Sequence, residues 1–99
     1  GWLGVEIKSL DNKYRLSTSY EYQYGVIVTH VSEISNAFKS GLRIGDIIMS
    51  INNYQILSPE SLVYRVAELQ INDRVDLKYF RNNEIKPLSF LLNKPPNRF

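Results

Sequence analysis

The pattern of apolar and polar residues predicts a half-buried β-strand near the start of the chain. Val5 and Ile7 are apolar, and the alternating residues Glu6 and Lys8 are charged. Successive side chains of a strand point to opposite faces, so one face of residues 5–8 would be buried and the other solvated. Such a strand needs a partner on its open edge.

Further strands are predicted at residues 25–31, 47–51, 54–56, 75–79 and 85–92. The first of these is apolar without clean alternation, which is typical of a strand buried on both faces. Asn52 and Asn53 tolerate positive φ, so they predict a tight turn between two strands. Residues 10–23 are polar and rich in tyrosine, and their structure stays open.

Two helices are predicted from their end signals. Ser35 is suited to cap a short helix, and Gly41 supplies the left-handed residue that ends it. The longer helix follows Ser58 and extends through residue 70. Pro59 occupies its first position, where a missing N–H costs nothing. Its apolar stripe consists of Leu62, Val63, Val66, Ala67 and Leu69.

Length and composition are those of a single globular domain. A chain of 99 residues buries somewhat over half of its unfolded surface, so an apolar core alone can hold it. The chain has no cysteine, which leaves the redox compartment open. No apolar run approaches the roughly 18 residues of a membrane span. The start at Gly1 shows neither an initiator methionine nor a signal-peptide pattern, so we expect a segment of a longer protein.

Charge and candidate chemistry argue against catalysis and nucleic-acid binding. The net charge is +2 with both signs interspersed, which predicts a solvated surface and no phosphate track. His30 is the only histidine, and no serine lies in a nucleophile motif. Ligands for a metal site are equally scarce. We therefore expect no catalytic residue, no metal and no cofactor in this chain.

Two other features have structural interpretations that outweigh functional ones. Asp46 has no basic or nucleophilic partner at a recognisable spacing, so it is expected to bond nearby backbone N–H groups in a turn. Tyr20, Tyr22 and Tyr24 alternate, as an aromatic platform for single-stranded nucleic acid would. No basic groove is near them, so a tyrosine-rich hairpin or flap over the sheet is favoured.

The opening residues resemble the carboxylate-binding loop of the PDZ family, especially its bacterial HtrA and DegP type. Gly4 would let the backbone bend so that successive N–H groups point into one concavity, which suits a peptide C-terminus. The run Gly-Leu-x-x-Gly-Asp-x-Ile-x-x-Ile-Asn at residues 41–52 also resembles the family. Joined to the opening loop this run is specific, whereas either alone is a weak match.

The resemblance implies an α+β fold. This would be a small, partly open antiparallel β-barrel or sandwich of five to six strands with two helices. The order of elements would be the circularly permuted bacterial one, in which the binding strand comes first and the groove helix late. Residues 1–93 would form the PDZ domain, and residues 94–99 a linker toward a following domain.

A peptide-binding groove between the first strand and the longer helix is also implied. Backbone N–H groups of Leu3, Gly4 and Val5 would bind the terminal carboxylate, and the strand through Lys8 would pair with the ligand backbone. The pocket for the last ligand side chain would be lined by Leu3, Val5, Ile7, Val63 and Val66. All expected binding residues are Trp2, Leu3, Gly4, Val5, Glu6, Ile7, Lys8, Pro59, Val63 and Val66.

Pro59 departs from the eukaryotic pattern of the family. Domains that select Ser or Thr at the third-last ligand residue resemble each other in carrying a histidine at this place. We therefore expect hydrophobic ligand ends without that hydroxyl preference.

The implied function is a noncatalytic peptide-recognition module of a trypsin-like HtrA/DegP-family serine protease, resembling its first PDZ domain. The parent would be a homotrimer or higher oligomer in the bacterial periplasm. It would use the module to bind hydrophobic C-termini or unfolded, extended segments in protein quality control. The implied partners are such polypeptide segments and the protease domain of the same parent chain, with no nucleic acid. The isolated domain would be a monomer.

Two alternatives stay open. The domain could belong to another bacterial protein, such as an intramembrane metalloprotease, a C-terminal processing protease or a secretion-system component. Alternatively, it could be a structural module that packs between protomers, with its groove blocked by its own chain.

Overall fold

The computed structural model describes residues 1–96, which form one antiparallel sheet with helices on it. The elements are β1 (Val5–Ser9), α1 (Asn12–Ser17), β2 (Val26–Val31), α2 (Asn36–Ser40), β3 (Ile47–Ile51), β4 (Tyr54–Gln55), α3 (Pro59–Ala67), β5 (Arg74–Arg81) and β6 (Glu84–Leu91). Five strands follow the order β1-β2-β3-β5-β6, and β4 pairs with β3. Within the described residues the sheet does not close, so β1 and β6 are its edges. The predicted α+β fold is confirmed, with the strand of residues 5–8 first and the longer helix late in the order.

The helix ends follow the sequence signals closely. The Ser35 hydroxyl accepts a hydrogen bond from the Phe38 N–H at the start of α2. Gly41 ends this helix with φ +121°. Ser58 caps α3 in the same way, and Pro59 occupies its first turn. These local bonds satisfy N–H groups that a helix leaves without partners.

The longer helix ends earlier than the sequence predicts. α3 stops at Ala67, three residues before the expected end at residue 70. The Leu69 N–H bonds the Val66 carbonyl in a tighter turn, and the Gln70 N–H donates to the Asp73 carboxylate at 2.8 Å. Because Asp73 stabilises this turn, the helix ends before Leu69, the last residue of the apolar stripe.

A third helix lies in the segment whose structure the sequence leaves open. α1 begins after Asp11, whose carboxylate accepts a hydrogen bond from the Tyr14 N–H at 2.7 Å. None of its six residues is fully buried, so the helix has no apolar stripe. Because α1 has no apolar stripe, the sequence predicted only two of the three helices found within residues 1–96.

The tyrosines pack against the sheet as part of the core. Tyr20 is only 3% exposed, its ring meets Phe80 edge-on at 5.1 Å, and its hydroxyl donates to the Tyr24 carbonyl. Tyr20 clusters with Ile47 and Met49, whereas Ile48 belongs to the main core. Adjacent strand residues point to opposite faces. The tyrosine-rich segment therefore covers the sheet face opposite the main core.

The main core fills the space between the sheet, α2 and α3. Its members share near-complete burial and include Leu42 of the loop before β3, Leu62 of α3 and Leu77 of β5. Fully burying a leucine stabilises a fold by about 1.5–3 kcal/mol relative to leaving it exposed. This core is what fixes α3 alongside the sheet.

Asp46 has a structural role with a partner that its spacing in the sequence did not reveal. Its carboxylate is 2% exposed and accepts hydrogen bonds from the Arg43 N–H at 2.8 Å and from two Arg81 nitrogens at 2.7 and 2.6 Å. The expected bond to a backbone N–H is confirmed, and the basic partner, Arg81, lies 35 positions away in the sequence. The pKa of Arg81 is raised, mainly because its charged form donates to Asp46.

The predicted linker is only partly described. Residues 94–96 form no helix or strand, and residues 97–99 lie outside the described residues. Among the helices of residues 1–96, none has the length and hydropathy needed to cross a membrane.

Candidate functional site

A groove with a volume of about 310 Å³ runs between β1 and α3. One wall is the opening segment and β1, and the other is the side of α3 that continues into the core. Its lining is mostly apolar and consists of Gly1, Trp2, Leu3, Gly4, Val5, Ile7, Leu62, Val63, Val66 and Ala67. Apolar grooves of this kind suit hydrophobic side chains.

The outer edge of β1 borders this groove without a strand partner. β1 pairs with β2 on one side, from Val5 opposite Val31 to Ser9 opposite Val26. On its other side, residues 1–96 supply no further strand. An edge strand presents backbone N–H and C=O groups that can pair with another chain. β1 is therefore a vacant template for one more strand.

The turn before β1 depends on glycine at position 4. Gly4 has φ +82°, in the left-handed region that disfavours other residues. A Cβ at this position would lie 2.6 Å from the Ser35 Cβ, which is closer than two carbon atoms can approach. The Gly4 carbonyl also accepts a hydrogen bond from the Ser32 N–H at 2.7 Å. The start of α2 thus fixes the position of the turn.

Two backbone amides of this turn are not engaged by the protein. In the described part of the chain, the N–H groups of Leu3 and Gly4 donate to no backbone or side-chain acceptor. Consecutive N–H groups at a turn form small concavities that bind anions. The turn lies at the end of the groove, so an anionic group there would be continuous with a strand along β1.

The groove has a fixed floor and an exposed rim. Leu3, Leu62 and Val66 are buried members of the main core, and Leu62 is only 2% exposed. Val63 is 64% exposed, although it lies on the next position of the same helix. A side chain entering the groove would therefore contact a preformed floor and cover Val63.

Seven of the ten expected binding residues line the groove, and three do not. Glu6 and Lys8 are exposed, because they alternate with the half-buried Val5 and Ile7. Pro59 is at the N-terminus of α3 and is absent from the lining.

Three lining residues were not among the expected binding residues. Leu62 and Ala67 belong to the predicted apolar stripe of α3, which was a usable signal. Gly1 had no signal in the sequence. It packs so closely that a Cβ there would lie 2.8 Å from the Val66 carbonyl oxygen.

A larger hollow, of about 580 Å³, lies beside the Asp46–Arg81 ion pair. Asp46 and Arg81 bond to each other, and Arg81 also donates to the Gly41 carbonyl. Among residues 1–96, no buried side-chain polar atom lacks a hydrogen-bond partner. The ion pair beside this hollow is therefore satisfied within the protein, whereas the Leu3 and Gly4 N–H groups donate to no acceptor within residues 1–96.

Comparisons with known proteins agree on one family. The family model described as "PDZ domain" matches residues 1–92. A curated relative from Marinomonas sp. (strain MWYL1), "Probable periplasmic serine endoprotease DegP-like", is 32% identical over 96 residues. The match covers 97% of this chain and 20% of the relative. The chain thus spans about a fifth of the length of that relative.

Solved structures give the same fold. The "HtrA-type protease AlgW with decapeptide" superposes with a TM-score of 0.84 at 26% identity, covering 98% of this chain and 30% of that one. The "HtrA3 PDZ Domain Bound to a Phage-Derived Ligand (FGRWV)" has a TM-score of 0.74, with 91% and 82% covered. At 21% identity the second likeness shows the fold alone.

Proposed function

The chain belongs to the PDZ family, and from that premise we propose that its groove binds the hydrophobic C-termini or extended segments of polypeptides by strand addition. The observation that carries the proposal is the vacant edge of β1 beside an apolar groove, with two unengaged amides at its end. Strand addition is the recognition mode of this family. Backbone bonds then supply affinity, and the groove supplies selectivity.

The carboxylate of a ligand would bind at the turn before β1. The N–H groups of Leu3 and Gly4 would donate to it, together with that of Val5 as the family resemblance implies. Hydrogen bonds to a charged acceptor are about twice as strong as neutral ones. Because the turn is at the N-terminal end of β1, the rest of the ligand would run antiparallel to this strand.

The last ligand side chain would enter the groove between β1 and α3. Filling an apolar site with one valine or leucine contributes about 1.5–3 kcal/mol, and each ladder hydrogen bond adds roughly 0.5–1.5 kcal/mol. Ordering a flexible peptide opposes these gains by several kcal/mol. We therefore expect dissociation constants near the micromolar range.

The start of α3 is expected to leave the third-last ligand residue without a hydroxyl preference. Pro59 occupies this place, and its ring offers no hydrogen-bond donor or acceptor. A peptide array in which Thr at that position dominates binding would contradict this.

The parent protein is proposed to be an HtrA/DegP-family serine endoprotease of the bacterial periplasm. Support comes from the name of the curated relative and from the likeness to an HtrA-type protease. In such a parent the module would bind substrate segments for protein quality control, next to a protease domain outside this chain. A trimeric or larger assembly, and the place of the first PDZ domain, are proposed on the same analogy.

Emission from the sole tryptophan tests the binding proposal. Trp2 lines the groove beside Gly4, so titration with a free-acid peptide ending in valine should change its emission saturably. The C-terminal amide of that peptide should bind at least about tenfold more weakly, because it loses the charged acceptor. Equal responses to acid and amide would remove the carboxylate from the mechanism.

A matched pair of variants separates groove binding from nonspecific contact. Val63→Asp puts a charge on the rim of the groove, whereas Ile85→Asp puts one on an exposed position of β6. The first should abolish the response to the free acid, and the second should preserve it. If neither peptide changes the emission of the unsubstituted domain, the alternative of a groove blocked by its own chain is favoured instead.

A further inference from the structure

We infer that Glu6 and Lys8 select charged side chains in a bound peptide, a basic one at its second-last residue and an acidic one at its fourth-last. This inference rests on the proposed function, because it requires a ligand strand paired with β1. It concerns the face of that strand turned away from the groove. It therefore adds a charge requirement to the hydrophobic requirement of the groove.

The first observation is that both charges are exposed and have no ion-pair partner within residues 1–96. Glu6 and Lys8 are exposed residues of β1. The four ion pairs found within residues 1–96 use other charged residues, so neither side chain has an ionic partner there. Both are free to interact with a chain added beside them.

The second observation is the regular alternation along β1. Val5 and Ile7 are half-buried toward the groove, whereas Glu6 and Lys8 point away from it. The register shift between β1 and β2 leaves Thr29 of β2 without a partner in β1. The extra residue is therefore on β2, and the side chains of β1 alternate without interruption. A ligand on the outer edge therefore meets a strict two-residue repeat.

The register of the ligand follows from the position of its carboxylate. With the carboxylate at the amides of Leu3 and Gly4, the last residue lies opposite Val5, the next position of the chain. An antiparallel strand then places the second-last residue opposite Glu6 and the fourth-last opposite Lys8. Directly opposite residues share a face, so these two ligand side chains meet the charges and not the groove.

The surroundings of Lys8 leave its positive charge in excess. Lys8 borders a hollow of about 380 Å³ between α1 and the sheet, and Lys13 lines the same hollow. Asp11 also lines it, but its carboxylate already accepts the Tyr14 N–H. An acidic ligand side chain would therefore meet two cations and one carboxylate, which together carry a net charge of +1.

The surroundings of Glu6 leave its charge available. Its neighbour on β2 is His30, which is also exposed. His30 makes no ion pair with it in the described part of the chain. A lysine or arginine at the second-last ligand position would be the cross-strand partner that Glu6 lacks.

The expected selectivity is electrostatic, and each charge pair contributes modestly to it. One opposite-charge pair directly across two strands changes affinity by about 1.5- to 5-fold, and a like-charge pair opposes by a similar factor. A matched ligand has an opposite-charge pair at both positions and a reversed ligand has a like-charge pair at both, so four such factors multiply to a ratio of about 5- to 600-fold. Because the pairs are exposed, raising the ionic strength from about 0.05 to 0.5 M should reduce this ratio.

Two isomeric peptides test the inference. Both are free acids with blocked N-termini, one ending in Glu-Ala-Lys-Val and the other in Lys-Ala-Glu-Val, so their composition and net charge are identical. Calorimetry should show that the unsubstituted domain binds the first about 5- to 600-fold more tightly. The double variant Glu6→Lys/Lys8→Glu keeps the net charge of the domain and should reverse the preference.

A control variant has the same change on the opposite edge of the sheet. Glu84→Lys/Lys86→Glu exchanges two charges with the same spacing on β6, so the preference for Glu-Ala-Lys-Val should remain. Circular dichroism checks that each variant is folded. The isomer ratio of the unsubstituted domain decides the inference even if a variant fails to fold.

A third peptide, ending in Ala-Ala-Ala-Val, distinguishes failure of the charge inference from failure of the proposed groove binding. If it binds and the two isomers differ by less than about 1.5-fold at low salt, the charge inference is overturned and the groove proposal stands. If none of the three free acids binds, the proposed function itself fails. A preference for Lys-Ala-Glu-Val would contradict the register on which the inference depends.

Discussion

Replacing Gly4 with alanine tests how the turn before β1 is built. The residue has φ +82°, and its new methyl group would lie 2.6 Å from the Ser35 Cβ. The left-handed backbone costs about 1–2 kcal/mol for a residue with a Cβ. Overpacking against an atom attached to the backbone adds about 1–3 kcal/mol. The free energy of unfolding should therefore fall by about 2–5 kcal/mol.

Urea unfolding followed by circular dichroism measures this change, with the slope of the transition unchanged. The matched control is Gly45→Ala, because Gly45 has φ +94° and no atom within 4 Å of a built Cβ. The control should cost only the backbone contribution, about 1–2 kcal/mol. The difference between the two variants then measures the contact with Ser35.

A double-mutant cycle locates the extra cost. In a Ser35→Gly background the opposing Cβ is absent, so Gly4→Ala should cost no more than Gly45→Ala does. Ser35→Gly itself should destabilise α2 only slightly, because glycine is a tolerable helix cap. If Gly4→Ala and Gly45→Ala are equally destabilising in the unsubstituted protein, the close packing of the turn against α2 is refuted.

Three further substitutions probe the core and the groove. Arg81→Met leaves the buried Asp46 carboxylate without its cationic partner and should cost about 3–5 kcal/mol in urea unfolding; a loss below about 1 kcal/mol would contradict this. Burial raises the pKa of Tyr20 above its ordinary value of 10.0, so stability is full below pH 10 and is lost as the pH rises toward the folded pKa. Tyr20→Phe should reduce the loss of stability between pH 8 and pH 11, by at most about 1.4 kcal/mol per pH unit in the free energy of unfolding. If the variant loses as much stability over this range as the unsubstituted protein, the role of Tyr20 is contradicted. Val63→Ala should leave stability within about 0.5 kcal/mol but weaken binding of a valine-ending peptide about 2- to 5-fold by calorimetry, and undiminished affinity would exclude the rim from the site.

The elements that carry the proposed site could be predicted because their signals are local. Two apolar and two charged residues in alternation define β1, and Ser58 with Pro59 marks the start of α3. A backbone bend at Gly4 was expected from a glycine within an apolar opening segment, and the structure has φ +82° there. Each of these features depends on neighbouring residues in the sequence, so one segment contains all the information needed.

The features that the sequence did not reveal depend on distant residues or lack a periodic pattern. Arg81 bonds Asp46 across 35 positions of sequence, because β3 and β5 are neighbours in the sheet. Gly1 lines the groove because the end of α3 leaves no room for a side chain. α1 has a capping residue but no apolar stripe. Tertiary packing decides such features, and residue spacing alone does not.

Amide hydrogen exchange along β1 tests most directly whether its outer edge receives a ligand. In the free domain, amides of Val5–Ser9 that do not donate to β2 should exchange rapidly, since an edge exposes them to water. A saturating free-acid peptide ending in valine should slow the exchange of these amides and of the Leu3 and Gly4 amides. The slowing should increase with the ratio of ligand concentration to Kd. Exchange that is already slow in the free domain and unaltered by the peptide would contradict the account.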